Sequence, residues 1–317
     1  MIAVVMGHSI AFWARQNWFD ARIPSMDSPI LFFFSKYISH FHVYAFTLIS
    51  GYIFSHVTQN GGYSRFSILL QKKCRRLIFP YCFTLLVWVV PFYCFFYHPS
   101  VREIVIRFVL GTHVNQLWFL LMLFEVFCIA WLVLHIWPNS KWAFPLASMG
   151  LYVVGGAANL VFPNCFQIWK SFQFLIFFYA GYYLNQNKVF ISGRRLWELF
   201  LLDTVLFVIL LFYVDNRMLS TLLELVSHML GAVSAFFMIN TFCEKCRRNR
   251  TIEWAAQNSF GIYLFHQQII WCVIAVFNGR VLPSVNAMLN FIIGITLSFL
   301  LARLIERLPF GKMVLGT

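Results

Sequence analysis

Leu117-Trp118-Phe119-Leu120-Leu121-Met122-Leu123-Phe124-Glu125-Val126-Phe127-Cys128-Ile129-Ala130-Trp131-Leu132-Val133-Leu134-His135-Ile136-Trp137 is an apolar run interrupted by one carboxylate, Glu125. A bilayer core about 30 Å thick takes about 20 helical residues to cross, and this stretch has that length with a tryptophan near each end. It reads as a membrane span, and the rest of the chain is built of runs like it.

The composition agrees. Of 317 residues, 61% are hydrophobic, 20% aromatic and only 11% charged, which no water-soluble domain matches. The formal charge of +13 does not point to nucleic acid, because the basic residues fall in short clusters between apolar runs, where a membrane protein keeps its orientation signal. Most of the eight cysteines lie inside apolar runs and act as small hydrophobes. Cys243-Glu244-Lys245-Cys246 is a lone pair without a second ligand pair, so no metal site is expected. The apolar start lacks the basic region and cleavage site of a signal peptide.

The same ruler predicts an all-α, polytopic transmembrane helix bundle of about ten spans. They lie near 1–14, 41–57, 77–97, 117–137, 142–162, 166–184, 196–214, 219–243, 258–277 and 284–305, within a single integral-membrane domain over 1–317. The first span is truncated: Met1 to Ala14 reaches only about 21 Å as a helix, so either a start further upstream or a helix beginning part-way into the membrane is expected. Counted on alternate sides, about two thirds of the 24 Lys and Arg residues follow even-numbered spans, which places both termini in the cytoplasm. Residues 15–40, with Pro24, Pro29 and the aromatic run from Ile30 to Tyr37, read as an outer loop leading to an interfacial or re-entrant segment. Residues 100–113 mix Arg102, Glu103 and Arg107 with Val101, Ile104, Val105, Ile106 and Phe108, as in a helix lying in the membrane surface.

Ionisable groups at bilayer depth are costly unless they face a partner or a cavity. His8, within Val4-Val5-Met6-Gly7-His8-Ser9, is one, and His42, Glu125, Asp203, Glu224, His228 and His266 are others. Each alone is accounted for by pairing between helices; as a set they predict a polar interior. At the mouth of the third span, Gln71-Lys72-Lys73-Cys74-Arg75-Arg76 is open to two readings. It is an orientation signal in contact with lipid headgroups, or Lys73, Arg75 and Arg76 form a grip for the phosphates of a cytoplasmic thioester donor such as acetyl-CoA.

Five strings in this order resemble the acyltransferase 3 family of integral-membrane O-acyltransferases, in particular its sugar O-acetylases. Val5-Met6-Gly7-His8-Ser9 is similar to that family's first-helix histidine motif, and Phe41 to Tyr52, ending in Ser50-Gly51-Tyr52, to its second-helix pattern. The basic run to Pro80-Tyr81 resembles the segment entering the third helix, Leu117-Trp118-Phe119-Leu120 the start of the fourth, and Asn258-Ser259-Phe260-Gly261-Ile262-Tyr263-Leu264-Phe265-His266-Gln267 the block near the C-terminus. Two features depart from the family. The acidic and basic residues it carries upstream of the histidine are absent, and its Arg-x-x-Arg pair is Lys73-Cys74-Arg75-Arg76.

The resemblance implies transfer of an acyl group, usually acetyl, from acetyl-CoA or another acyl-CoA to a hydroxyl of a cell-surface or lipid-linked saccharide. No bound cofactor is expected, and the expected location is the bacterial inner membrane. A sugar hydroxyl is a poor nucleophile, so a base is needed, and His8 is the candidate. Ser9 is a lesser candidate as an acyl carrier. Tyr263 and His266, three apart on one helix face, either stabilise developing charge on the oxyanion or acceptor side or hydrogen-bond between helices. Trp118 lines the substrate channel or anchors a span end, and Ser9, His42 and Glu125 complete the expected channel. Two rival readings stand beside this one: a transporter or flippase of a lipid-linked saccharide, and an inactive truncated relative.

Overall fold

The computed structural model describes residues 1–14, 28–138, 140–213, 217–245 and 249–316. Among them there is no strand, and the ten expected spans each correspond to a helix. We number these α1 (Ile2–Ile10), α2 (Pro29–Gln59), α3 (Phe66–Tyr97), α4 (Trp118–Ile136), α5 (Ala143–Val161), α6 (Ile168–Gln186), α7 (Gly193–Tyr213), α8 (Arg217–Lys245), α9 (Arg250–Phe277) and α10 (Pro283–Glu306). Seven of the ten have described segments long and apolar enough to cross a membrane: α3, α4, α5 and α7 to α10. Helix α1 is short, whereas α2 and α6 have the length but carry more polar residues. Arg15, Arg22, Arg247 and Arg248, which contribute to the orientation count, lie outside the described residues, as do Pro24 and Cys246.

Burial orders the helices. In α9, 72% of the apolar window is buried, against 17% in α5 and in α7, so α9 is the central post and the other two are the outer wall. Leu146, Val153 and Leu160 on α5 and Trp197, Leu201 and Phe212 on α7 point outward. In water such a surface would drive aggregation; in a bilayer it is the solvated face.

Helix α2 corrects the expected interfacial segment at Ile30 to Tyr37. That run is the first part of one continuous helix, started by Pro29 in its first turn and by Ser28 Oγ accepting from Leu31 N at 3.5 Å. No proline or glycine separates it from the expected span at 41–57, so nothing stops the helix. Helix α6 crosses α2 at very short range: a Cβ on Gly51 would lie 1.9 Å from the Phe178 carbonyl oxygen, and one on Gly181 1.8 Å from that of Leu48. Two glycines facing opposite backbones let the helices touch main chain to main chain, the usual small-residue contact of membrane helices.

Helix α3 begins before the expected span and holds the basic run inside it. Pro80 and Pro91 lack the N–H groups that would bond the carbonyls of Arg76 and Val87, and π turns at Cys74–Ile78 and Leu85–Val89 absorb the defects. The stretch after α3 is helical, an α turn at Val101–Ile104 continued by a π turn at Val105–Val109. Val101, Val105 and Val109 are exposed on it, while Glu103 and Arg107 turn back to the protein.

Candidate functional site

Helix α1 is short but central: it packs against α2, α9 and α10, with Val5 and Ile10 buried. Gly7 lets it sit against Ile38 of α2, and Asn290 Nδ2 of α10 donates to the Ser9 carbonyl at 3.0 Å. These contacts fix the position of His8.

Across from it, α9 presents His266, fully buried, with its Nδ1 2.9 Å from the Tyr263 carbonyl and 3.0 Å from that of Ile262. Carbonyls only accept, so Nδ1 carries the proton and Nε2 is an acceptor. His266 Nε2 is 2.8 Å from His8 Nδ1, and the rings stack with centroids 4.8 Å apart. His8 Nδ1 therefore donates, and the lone pair of His8 is on Nε2. The backbone of α9 thus sets the tautomer of an imidazole on another helix.

Two cavities meet at His8. One, of about 610 Å³, lies where α3 ends and α4 and α6 begin, and is lined by Tyr97, Glu103, Arg107, Asn115, Lys170 and Trp271 among others. The second, of about 570 Å³, lies where α3 and α9 begin, and its wall includes His42, Ser50, Lys73, Arg76, Phe127 and Tyr263. His8, Gln116 and Trp118 line both. Arg76 and Tyr97 stand on one helix about 30 Å apart along its axis, so the cavities open toward opposite ends of the bundle.

The partition between them is tied to α9 by glutamines. Gln116 N donates to Gln267 Oε1 at 2.9 Å, and Gln116 Nε2 donates to the Leu264 carbonyl at 3.0 Å and to Gln268 Oε1 at 2.9 Å. The Tyr263 hydroxyl donates to the Gln116 carbonyl. Next to this knot, Asn115 has a left-handed backbone, φ 51°, and its Nδ2 is a buried donor with no acceptor among the described residues. Asparagine tolerates that backbone better than most residues, and Asn115 is among the residues that line the larger cavity.

The other residues singled out in the sequence divide into two groups. His42, Lys73, Arg76 and Trp118 are at the cavities with His8. His42 Nδ1 donates to the Ile38 carbonyl at 2.7 Å, and Lys73 is nearly buried with its Nζ 3.4 Å from the Phe127 ring centroid. Arg75 is exposed on the π turn beside Arg76 and lines neither cavity. Ser9 is buried and its hydroxyl donates to the Val5 carbonyl at 2.7 Å; Glu125 accepts from Ser171 Oγ at 2.5 Å; neither lines a cavity. His266 lines neither cavity and holds His8, whereas Tyr263 lines the smaller cavity with its hydroxyl engaged by the Gln116 carbonyl. Asn115, Gln116 and Gln267 were not singled out, and the only local sign of them is amides flanking recognised motifs. Outside the membrane-spanning helices, His113 is held below the ordinary histidine range, first by burial and then by the Arg107 and Lys170 cations.

Separately, His40 Nε2 is 2.8 Å from Asp203 Oδ1, and His228 Nδ1 is 2.8 Å from the His40 carbonyl, joining α2, α7 and α8. Asp203 and His228 thus have partners between helices, as the bland reading of buried ionisable residues requires.

Helices with an apolar outer wall, enclosing a histidine pair of which His8 lines both cavities, define an integral-membrane protein with a polar interior. A family model described as an acyltransferase domain matches residues 1–307, and the chain belongs to this acyltransferase 3 family. No curated protein and no solved structure matches it.

Proposed function

We propose that this protein is a membrane O-acyltransferase that moves an acetyl group from acetyl-CoA, or a related acyl-CoA, to a hydroxyl of a cell-surface or lipid-linked saccharide. The observation that carries the reading is the meeting of two oppositely opening cavities at His8. The donor enters the smaller cavity, whose apolar wall suits a pantetheine arm and acyl group and whose mouth has Lys73 and Arg76 for phosphates. The acceptor enters the larger, more polar one. In this reading the basic mouth faces the cytoplasm, as do both termini, and the membrane is the bacterial inner membrane.

His8 Nε2 takes the proton of the acceptor hydroxyl as its oxygen bonds to the thioester carbonyl carbon. The resulting positive charge on His8 is shared with the His266 Nε2 lone pair through the Nδ1 hydrogen bond. In this reading the acyl carbonyl lies at the partition between the cavities, where Asn115 Nδ2, next to Gln116, donates to its oxygen while it carries negative charge. Collapse breaks the C–S bond, and the departing thiolate takes the proton from His8, leaving free CoA thiol and the ester. Direct transfer fits better than an acyl-Ser9 route, because the Ser9 hydroxyl is held by its own helix.

Purified protein given labelled acetyl-CoA and candidate glycans tests this. Label passes to glycan with release of one CoA thiol per ester, and His8→Ala removes it while leaving the protein folded in the membrane. Glycan movement across vesicles without donor consumption would favour the flippase reading instead.

A further inference from the structure

The larger cavity has a charge imbalance that acyl transfer to a neutral sugar does not use. Among the described residues its one lining carboxylate is Glu103, and that group is already engaged. Glu103 Oε1 lies 3.1 Å from Arg107 Nε and accepts from the Tyr93 hydroxyl at 2.6 Å, with the Arg107 guanidinium 4.9 Å from the Tyr93 ring centroid. Arg107 and Glu103 thus cancel. Lys170, in the first turn of α6, has no carboxylate within ion-pair distance among the described residues; its Nζ rests 4.2 Å from the Trp118 ring centroid. It is half-buried, at the end of the bundle where Lys and Arg are scarce, so the orientation signal does not account for it.

A cation set into a membrane protein's cavity without a counterion is costly, and an anionic ligand offsets that cost. Burial is the first cause that holds His113 of the same cavity below the ordinary histidine range, and Lys170 is among the cations that add to it. The wall near Lys170 is built and rigid. Gln167, buried beside it, donates through Nε2 to the Thr112 carbonyl at 3.1 Å, and Phe166 N donates to the Leu110 carbonyl at 2.7 Å, so the loop before α4 is pinned to the start of α6. Trp118 belongs to both cavities, which puts the ammonium next to the partition that carries His8.

We propose that the larger cavity selects a saccharide bearing an anionic group, a carboxylate or a phosphate, and that Lys170 holds that group while Trp118 backs the sugar ring. This rests on the reading of that cavity as the acceptor's. An anion fixed at Lys170 orients the ring by charge and leaves a neighbouring hydroxyl to face His8, so Lys170 sets which saccharide, and which hydroxyl of it, is acylated.

The test measures binding without any acyl donor, using full-length protein in detergent and titration calorimetry. The probes are hyaluronan tetrasaccharide for a carboxylate, chitotetraose 1-phosphate for a phosphate, and neutral chitotetraose. At least one anionic probe binds about tenfold or more tightly than chitotetraose, as a charged hydrogen bond predicts, and the preference shrinks at high salt. Lys170→Gln removes the preference and Lys170→Arg restores it, with thermal unfolding of both variants matched to the parent. Equal binding of all three probes, binding by neither anionic probe, or a preference that survives Lys170→Gln overturns the inference. The two readings fail separately. Loss of the preference in Lys170→Gln with no acetyl transfer to any probe supports the anion site and sinks the transferase; acetylation of chitotetraose with no anionic preference does the reverse.

Discussion

The proposed base works only if one tautomer of His8 is held, and that is the task of His266. Replacing His266 by Leu removes the acceptor of the His8 Nδ1 proton, so the proton is free to move to the nitrogen that must be basic. The expected result is a fall in kcat of about 100-fold or more with the saccharide KM little changed. His266→Gln, whose side-chain oxygen stands near the place of Nε2, recovers part of the rate; equal loss in both variants would show that packing alone is at stake. Asn115 calls for a different substitution, since alanine would be strained at φ 51°. Asn115→Gly removes the amide and keeps the backbone, and a loss of about 100-fold in kcat is expected if Nδ2 stabilises the carbonyl oxygen. A glycine variant with full kcat removes Asn115 from the chemistry. The histidines were legible in the sequence because an imidazole in an apolar run is costly. Asn115 and Gln116 were not, because an amide in a loop costs nothing until the fold carries it against α9.

At the scale of the helices, hydropathy located all ten elements because each holds an apolar run, although only seven have described segments long and apolar enough to cross a membrane. It could not show that Ile30 to Tyr37 continues into α2, since that depends on the absence of a breaker rather than on apolarity. Nor could it show the π turns of α3, which expose Arg75 but bring Arg76 to the cavity wall. The Ser50-Gly51-Tyr52 string, recognised by resemblance alone, gains a physical reason from the fold: Gly51 lies where α2 and α6 meet backbone to backbone. Gly51→Ala forces that crossing apart, because the atom in the way is a main-chain carbonyl and not a movable side chain. A loss of about 1–3 kcal/mol is expected, read as a lower thermal unfolding temperature in detergent. Gly150→Ala serves as the control, since a Cβ there meets nothing within 4 Å. Equal stability of the two variants would mean that the crossing is looser than described.

For the whole molecule, the arrangement that matters is one proposed reaction centre, at His8, between two cavities with unlike walls. The smaller is mainly apolar with a cationic mouth at the start of α3; the larger is polar and aromatic at that helix's other end. A charged, membrane-impermeant thioester has no reason to enter the second, and a hydrated glycan has little reason to enter the first. Sidedness follows. In sealed vesicles with the start of α3 facing the medium, acetyl-CoA added outside is consumed and the ester appears on glycan enclosed within. In vesicles of the opposite orientation, external acetyl-CoA is not consumed until the membrane is permeabilised. Arg76→Ala, in the first orientation, raises the KM for acetyl-CoA by about tenfold, the worth of one charge-assisted phosphate contact, and leaves the glycan KM unchanged. Lys73→Ala is a poorer probe, because its ammonium also packs on Phe127 and its loss disturbs the cavity wall. Donor use from both faces of intact vesicles would show that the cavities are not separate routes, whatever the state of His8. Arg76→Ala that impairs donor and glycan alike would show that the basic mouth supports the fold and does not grip the donor.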